Sequence, residues 1–275
     1  MSINTSRIFV KPKKSLGQNF LIDDNIAKKI VASLSLSTQD VIVEIGPGEG
    51  ALTKFIIEKV SRLIAVEIDS VVAAELMRKF SCEKLEVINK DILDLKFSEL
   101  TDKGEKKIRL VGNIPYYLTS EILFNTIDNR SYISDFTVMI QREVAQRIAA
   151  KRGTKSYGIL SLLTQFYGKP EILFNVSANC FYPKPTVTSA VVRIVFYDEL
   201  PYSVDEDLFR LIVRTTFGKR RKTLRNGLKF LPFDEDVVQK IIGSIDFPLE
   251  KRPEELTVEE FVDLTNKITQ IIENG

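Results

Sequence analysis

Glycines and polar side chains recur in the first half of the sequence at a spacing of 21 to 24 residues. Gly46 opens the series in "VEIGPGEGALT", and Glu67, Asp91 and Asn113 follow it, each at the end of a short apolar run. A glycine there lets the backbone approach a ligand closely, and a carboxylate can accept hydrogen bonds from a ribose. One such group alone is typical of a turn or a helix cap, whereas the regular repetition predicts a nucleoside pocket.

These groups require a scaffold that brings strand ends together. The apolar runs are typical of strands buried on both faces, and they are Val41–Ile45, Leu63–Ile68, Leu85–Asn89, Ile108–Asn113 and Phe136–Ile140. Helical patterns such as Leu52–Lys59 and Val71–Phe80 lie between them. The alternation predicts a doubly wound parallel sheet, whose carboxyl strand ends line a ligand crevice. Glu171–Ala178 and Ser189–Tyr197 are predicted to pair antiparallel at one edge.

The pattern changes after Tyr197. Amphipathic helical stretches with acidic starts follow, at 205–217, 233–245 and 257–272. Thr257 and Glu260 have the spacing of a capping box. We therefore predict an α/β domain over residues 1–199 and a small all-helical domain over residues 200–275.

The composition excludes several kinds of chemistry. Histidine is absent, which removes Ser-His-Asp and Cys-His nucleophiles and the commonest metal ligand. The two cysteines, Cys82 and Cys180, lie far apart, so we expect neither a disulfide framework nor a zinc site. No apolar run has the length of a membrane span and no secretory signal is visible. These features predict a cytoplasmic protein that does not bind membranes.

The glycine loop by itself leaves two interpretations open. Gly46, Gly48 and Ala51 also satisfy the loose dinucleotide fingerprint. A nicotinamide-dependent dehydrogenase has only this loop in its favour, because it has no use for the Asn-Ile-Pro-Tyr sequence at the end of the fourth strand.

That sequence carries a resemblance to a known family. "GNIPYY" (112–117) resembles the motif of S-adenosylmethionine-dependent amino-methyltransferases, and more narrowly that of the rRNA adenine N6-dimethyltransferases. Further stretches resemble the same family in order: "SLGQNFLID", "EIGPGEGALT", "VEID", "KDIL", "FYPKPTVTSAVVR" and "FGKRRKTLRNGL". The resemblance covers nearly the whole chain. It implies a Rossmann-like class I methyltransferase sheet, mostly parallel with an antiparallel edge, S-adenosylmethionine as methyl donor, and no metal.

The resemblance also implies catalytic roles. The Asn113 side-chain oxygen and the Ile114 carbonyl would accept both hydrogens of adenine N6 and favour a more pyramidal, nucleophilic nitrogen. Pro115 would stiffen the turn. Tyr116 would stack on the flipped-out base, and Phe181 on its other face. The alternative for Phe181 is a core aromatic beside an edge strand.

The resemblance implies an N-terminal arm and cofactor lid over residues 1–22, in which Gln18, Asn19 and Leu21 would close over the methionine end of the cofactor. The cofactor-binding residues that the resemblance implies are Gln18, Asn19, Leu21, Gly46, Gly48, Glu67, Ile68, Asp91, Ile92 and Asn113. Tyr117 has no implied role, and we expect it to pack. Tyr157 and Phe166 are spaced as in an amphipathic helix and are expected in the core.

A basic segment at 214–229 contains no acidic residue. It predicts an RNA-phosphate surface, with the alternative that it is only a solvated face. Its cations are Arg214, Lys219, Arg220, Arg221, Lys222, Arg225 and Lys229. The N-terminal "RIFVKPKKS" adds a smaller basic arm, which we expect to order on RNA binding.

Two substrates compete within the family. Some members dimethylate two adjacent adenosines in the 3′-terminal hairpin of small-subunit rRNA during ribosome assembly, and others dimethylate one adenosine of large-subunit rRNA and confer macrolide-type resistance. The basic helical domain favours the first class, although Ile114 is common in the second. We expect a monomer acting on small-subunit rRNA in pre-30S particles. An RNA-binding assembly factor with incidental methyl transfer is a further alternative.

Overall fold

The computed structural model describes residues 10–101 and 106–274. Contacts between Cα atoms divide the chain into two compact units. Of the described residues, the sheet unit contains those within 10–145 and 169–198, and the helical unit contains 146–168 and 199–274. The second part of the helical unit begins at Glu199. The segment 146–168, however, belongs to the helical unit rather than to the α/β domain in which we expected it.

The sheet unit is built on a seven-stranded sheet. The strands among the described residues are β1 (Phe20–Leu21), β2 (Val41–Ile45), β3 (Arg62–Val66), β4 (Leu85–Ile88), β5 (Ile108–Asn113), β6 (Ile133–Gln141), β7 (Gly168–Val176), β8 (Phe181–Tyr182) and β9 (Ser189–Phe196). Their order in the seven-stranded sheet is β4-β3-β2-β5-β6-β9-β7. Neighbours from β4 to β6 are parallel, whereas β9 runs antiparallel to β6. The predicted fold class, mostly parallel with an antiparallel edge, is confirmed.

Helices cover the sheet because its strands are apolar on both faces. The helices of the sheet unit are α1 (Asp24–Ser33), α2 (Thr53–Ile56), α3 (Ser70–Lys79) and α4 (Thr119–Asp128), and α5 (Arg142–Ile148) spans the boundary between the units. Ile30 of α1, Ile42 of β2 and Leu63 of β3 are buried in one core cluster. Burial of each such side chain contributes about 1.5–3 kcal/mol.

Aspartates set the starts of several helices. The Asp23 carboxylate accepts the Asn25 and Ile26 N–H groups ahead of α1, at 2.9 and 3.1 Å. Asp69 accepts the Val71 N–H in the same way at the start of α3. These bonds satisfy N–H groups that the helix itself leaves unpaired, so Asp69 is held at a fixed position directly after β3.

The helical unit contains α6 (Ile159–Tyr167), α7 (Glu206–Gly218), α8 (Leu224–Leu228), α9 (Glu235–Ser244) and α10 (Val258–Glu273). Its core is aromatic. Phe166 of α6 stacks on Phe209 of α7 with ring centroids 3.9 Å apart, and Tyr157 meets the edge of Phe217 at 6.1 Å. These contacts explain why segment 146–168 belongs to this unit, because the aromatic rings it buries have their partners on α7.

The predicted capping box is present at the start of α10. Thr257 N–H donates to Glu260 Oε2 at 2.8 Å, and Glu260 N–H donates to Thr257 Oγ1 at 3.2 Å. Across residues 10–101 and 106–274, the structure contains no helix whose length and apolar character would let it cross a bilayer.

A buried charge cluster connects residues at the amino ends of β2, β5 and β6 in the sheet unit. The Arg109 guanidinium on β5 contacts Asp135 on β6 at 2.6 Å, Asp40 ahead of β2 at 2.9 Å and the Leu34 carbonyl after α1 at 2.7 Å. The Arg109 and Asp135 side chains are only 13% and 6% exposed. Removing the arginine leaves a desolvated Asp135 carboxylate that retains the Ser134 hydroxyl at 3.4 Å and the more distant Arg193 Nε at 3.8 Å.

We expect Arg109→Met to lower the free energy of unfolding by about 3 kcal/mol or more, because an unpaired buried charge is costly. The matched control is Arg62→Met, which breaks a half-exposed pair with Glu86 on β4 and should cost less than about 1 kcal/mol. Urea unfolding of both variants measures the difference. Similar small losses in the two variants would contradict a structural role for the buried cluster.

Candidate active site

An open cleft of about 790 Å³, its mouth included, lies at the carboxyl end of the parallel strands. Gly46 follows β2, Glu67 follows β3, Asp91 follows β4 and Asn113 ends β5, and all four line the cleft. The other predicted site residues that line it are Gln18, Asn19, Gly48, Ile68, Ile92, Ile114, Pro115 and Tyr116. The four residues that are regularly spaced in the sequence thus line one cleft in the structure.

The backbone conformation of the turn after β2 requires glycine. Gly46 and Gly48 have φ of +61° and +55°, a region that disfavours other residues. A Cβ at Gly46 would meet only the Asn113 carbonyl, at 3.4 Å, so the space beyond it belongs to the cleft. A Cβ at Gly48 would lie 2.8 Å from the Phe20 ring, which packs directly on the turn.

Glu67 is a buried carboxylate on the cleft wall, 5% exposed. It accepts the Gly48 N–H at 3.3 Å and the Asp69 N–H at 3.0 Å. Burial raises the pKa of Glu67 above its ordinary value. Each carboxylate oxygen accepts only one of these backbone hydrogens and retains a lone pair, so Glu67 has the acceptor capacity that a ribose diol needs.

The next wall of the cleft combines one carboxylate with apolar groups. Asp91 caps the short turn after β4 by accepting the Leu93 N–H at 2.9 Å. Asp91 is therefore a turn cap, as the alternative interpretation has it, and it lines the cleft as well. Ile92 is buried, whereas Ile68 exposes 49% of its surface beside it. An exposed apolar side chain at a cleft suits the flat face of a base.

The segment from Lys13 to Leu21 is fastened over this wall through a side chain that sequence reasoning did not single out. Asp69, whose side chain is fully buried, accepts Lys13 Nζ at 2.9 Å and Gln18 Nε2 at 3.2 Å. Gln18 Oε1 in turn accepts the Lys13 N–H at 2.7 Å. Burial alone would raise the pKa of Asp69, but these hydrogen bonds lower it below its usual range.

The Asn113 side chain is oriented by the same segment. Its Nδ2 donates to the Asn19 carbonyl at 2.8 Å. A carbonyl can only accept, so this bond assigns the nitrogen of the amide to the Asn19 side and the oxygen to the opposite side. Within residues 10–101 and 106–274 no donor reaches Asn113 Oδ1, which leaves that oxygen to accept hydrogens from a ligand.

The two tyrosines after Pro115 differ in their surroundings. The Tyr116 hydroxyl bonds to Ser189 Oγ at 2.7 Å, and burial raises its pKa. Tyr117 is 59% exposed at the cleft, but its ring lies over Gly17, where a Cβ would be 3.1 Å from Tyr117 Cε1. Its packing is therefore confined to this one side of the ring. No local pattern distinguishes the two tyrosines, because their surroundings come from distant parts of the chain.

Leu21 and Phe181 do not line this cleft, although Leu21 lines a smaller pocket beside it together with Gly46 and Asn113. They are Cα partners in the antiparallel β1–β8 ladder, and both are buried in the core cluster, 7% and 1% exposed. Both are buried because pairing of β1 with β8 turns their side chains inward, among apolar groups. Phe181 is thus a core aromatic in this structure, and its contact with a bound base stays a prediction.

Ion pairing separates the cations of the basic segment 214–229 into two groups. Arg220 Nε donates to Glu254, and Arg225 Nε donates to Glu250 at 2.8 Å. Arg214 and Arg221 are exposed, and Lys219 and Lys222 lie over an aromatic ring. The other predicted basic arm begins at Arg7, outside the described residues, which start at Val10.

Comparison with known proteins bears directly on this cleft. The sequence profile described as "Ribosomal RNA adenine dimethylase" matches residues 10–270. The chain belongs to this family. A protein named Ribosomal RNA small subunit methyltransferase A, from Flavobacterium johnsoniae, is 42% identical over 259 residues, 94% of this chain and 96% of that one. Its namesake from Phocaeicola vulgatus is 43% identical over 265 residues, 96% and 92% of the two chains.

Solved structures agree on the fold. A dimethyladenosine transferase from Plasmodium falciparum has a TM-score of 0.79 at 23% identity, covering 92% of this chain and 98% of that one. The 23S rRNA methyltransferase ErmE has a TM-score of 0.69 at 23% identity, covering 92% and 100%. At this identity the likeness concerns the fold alone. The resemblance inferred from the motifs is confirmed by family membership.

Another buried carboxylate, Glu44, lies beneath the glycine turn of this family member. Glu44 on β2 is 1% exposed and accepts the Thr53 hydroxyl hydrogen at 2.7 Å. Burial, opposed by the bond from Thr53, raises the pKa of Glu44 to about 7. The signal in the sequence is an acid inside the apolar run "VIVEI", and our sequence reasoning did not use it.

The folded protein therefore retains the Glu44 proton up to about pH 7, whereas the unfolded chain loses it near the ordinary value of 4.5. Stability from this group is full below pH 4.5 and is lost as the pH rises to about 7. The loss is on the order of 3 kcal/mol at 1.36 kcal/mol per pKa unit. Glu44→Gln, which keeps an acceptor for Thr53, should abolish this loss.

Urea unfolding at pH 5 and pH 8 measures the effect as the difference between the wild type and Glu44→Gln. The control is Glu86→Gln on β4, which removes a carboxylate whose side chain is 47% exposed. A Glu44→Gln difference that stays constant from pH 5 to pH 8 would show that Glu44 ionises normally in the folded protein.

Proposed function

We propose that this chain uses S-adenosylmethionine to dimethylate N6 of two adjacent adenosines in the 3′-terminal hairpin of small-subunit rRNA. It would act as a cytoplasmic monomer on pre-30S particles. The observation that carries the proposal is the orientation of Asn113, whose Oδ1 is the free acceptor in the cleft at the carboxyl ends of the strands. An amine of low nucleophilicity is the group that such an acceptor would activate.

The residues present fit S-adenosylmethionine. The glycine at position 46 leaves open space beside Asn113 where a Cβ would stand. Glu67 would accept hydrogen bonds from the ribose hydroxyls, Asp91 would accept from the adenine amine, and Ile68 and Ile92 would cover the adenine ring. When bound, the cofactor supplies a methyl group on a strongly electrophilic sulfonium.

The protein's own part in the reaction would be positioning. Asn113 Oδ1 and the Ile114 carbonyl would accept the two hydrogens of adenine N6, which turns the nitrogen lone pair toward the methyl donor. Pro115 would keep that carbonyl in place, with its φ at −58°. The Tyr116 ring, anchored through its hydroxyl to Ser189, would stack on the base. No basic side chain is needed, because the proton released after transfer can go to water.

The choice of substrate rests on the curated relatives, whose names specify the small ribosomal subunit. The likeness to ErmE is a likeness of fold and carries no argument for large-subunit rRNA. We propose the helical unit as the RNA-binding part of the chain, because its acid-free segment 214–229 contains a concentration of cations.

The test of the proposed function is a methyl-transfer assay with labelled S-adenosylmethionine. Undermethylated small subunits and naked large-subunit rRNA are offered separately, and the labelled nucleosides are then identified. We expect N6,N6-dimethyladenosine in small-subunit rRNA alone. Label in large-subunit rRNA would assign the chain to the resistance class, and no label despite cofactor binding would favour the assembly-factor alternative.

Asn113→Ala removes the free acceptor and the bond to the Asn19 carbonyl. We expect kcat to fall about 10²–10³-fold, as when one preorganised hydrogen-bonding group is lost from an active site. Binding to small subunits should persist, because phosphate contacts supply most of it. The control is Asn129→Ala, which removes an amide at the end of α4 that donates to the Asn125 carbonyl and to Asn125 Oδ1.

Single-turnover rates and subunit binding are measured on the same preparations of both variants. A folded Asn113→Ala variant with full activity would remove Asn113 from the chemistry. Loss of subunit binding with intact folding would assign Asn113 to RNA recognition instead.

A further inference from the structure

Phe230 is an exposed ring on a rigid turn. It exposes 49% of its surface, the largest fraction for a bulky apolar side chain among the described residues of the helical unit. The turn is not loose: Phe230 N–H donates to Gly227 at 3.1 Å and Leu231 N–H to Leu228 at 3.0 Å. Leu228 and Leu231 on either side are buried. The fold therefore presents the ring to solvent in a fixed place.

Two lysines approach this ring from the turn after α7. Lys219 Nζ lies 4.4 Å and Lys222 Nζ 5.2 Å from the ring centroid. The turn itself is closed by a bond from Lys222 N–H to the Lys219 carbonyl at 2.7 Å. An aromatic face and two ammonium groups are thus preorganised within one small area, the ring–lysine cluster of Lys219, Lys222 and Phe230.

These lysines differ from Arg220 and Arg225 in having no carboxylate partner among the described residues. Arg220 and Arg225 are each paired with a glutamate of the same unit. Over the part of the chain that the structure describes, Lys219 and Lys222 have no ion pair. Residues 208–233 contain no acid at all. The cluster is consequently positive and available to an anion.

We propose that the ring–lysine cluster is a binding site for an unpaired nucleotide of the RNA, an inference that rests on the proposed function. The base stacks on Phe230, while Lys219 and Lys222 leave the ring and bind the flanking phosphates. Base–aromatic stacking is worth about 5- to 100-fold in affinity, whereas each of the two exposed cation–π contacts given up is worth about 2- to 5-fold. The exchange is favourable because stacking replaces the cation–π contacts while both lysines gain a phosphate partner.

Stacking and phosphate binding have different signatures. A stacked base adds affinity that does not depend on salt, whereas each phosphate contact to a single strand adds about 0.7 to the slope of log affinity against log salt. A base inside a duplex cannot reach the ring. The cluster should thus distinguish single-stranded from double-stranded RNA, and the ring and the lysines should be separable by mutation.

The experiment uses the full chain with two probes, an oligoadenylate of about 12 nucleotides and a blunt RNA duplex of the same length. This length lies within the range that single-strand binding sites cover. Affinities are measured from about 50 to 200 mM salt. Phe230→Leu should weaken single-strand binding at least about 5-fold with an unchanged slope, and leave duplex binding unchanged. Phe230→Tyr should bind like the wild type. Lys219→Met with Lys222→Met should reduce the slope by about 1.4.

Phe247→Leu is the matched control. Phe247 also has a lysine over its ring, Lys267 at 5.7 Å, but that lysine is held by Asp263 at 3.0 Å. RNA affinity should not change in this variant. Cofactor binding and thermal unfolding confirm that each variant is folded.

Three results would overturn the proposal. One is wild-type protein that does not bind the oligoadenylate, and another is Phe230→Leu protein that binds it as tightly as the wild type. The third is a slope in Phe230→Leu that falls as far as in the double lysine variant, because the ring would then only hold the lysines. Failure of the proposed function is distinguishable: no label enters small-subunit rRNA, while the oligonucleotide results stand.

Discussion

The hydrogen bond from the Asn113 side chain to the Asn19 carbonyl determines what the cleft can do. A side-chain amide can turn either way, but a carbonyl accepts and never donates, so the bond directs Oδ1 away from Asn19. It also makes the amide dependent on a segment 94 residues away in the sequence. Asp69 holds that segment through Lys13 and Gln18, so the wall and the cover of the cleft form one hydrogen-bonded unit.

The close approach of β2 and β5 makes this arrangement possible. A Cβ at Gly112 would lie 2.5 Å from the Ile45 carbonyl, so only glycine allows the two strands their observed contact. Because the strands are parallel and in register there, Gly46 and Asn113 leave the sheet side by side. The glycine turn and the acceptor amide thus belong to one site as a direct consequence of sheet geometry.

The helical unit shows how ion pairing changes the meaning of a basic run. Arg220 and Arg225 form ion pairs with glutamates from other parts of the unit. The sequence of the basic segment does not reveal these pairs. Lys219 and Lys222 lie at an exposed ring instead. The cations without an ion pair are therefore fewer than the basic segment suggests, and two of them lie at an aromatic ring.

The sequence by itself determined the sheet class, the strand-end positions of Gly46, Glu67, Asp91 and Asn113, and the helical nature of the last quarter of the chain. These features follow from local periodicity and from the rule that parallel strands end at one edge. The capping box at Thr257 was equally local.

Tertiary structure alone decided the rest. Phe181 and Leu21 are core residues because β1 pairs with β8, a contact between segments about 160 residues apart. Tyr117 is exposed, and segment 146–168 joins the helical unit, because their neighbours come from distant parts of the chain. Which way a side chain faces, and which charge is already paired, depends on the partner that folding brings to it, and sequence patterns describe only the chain's own local preferences.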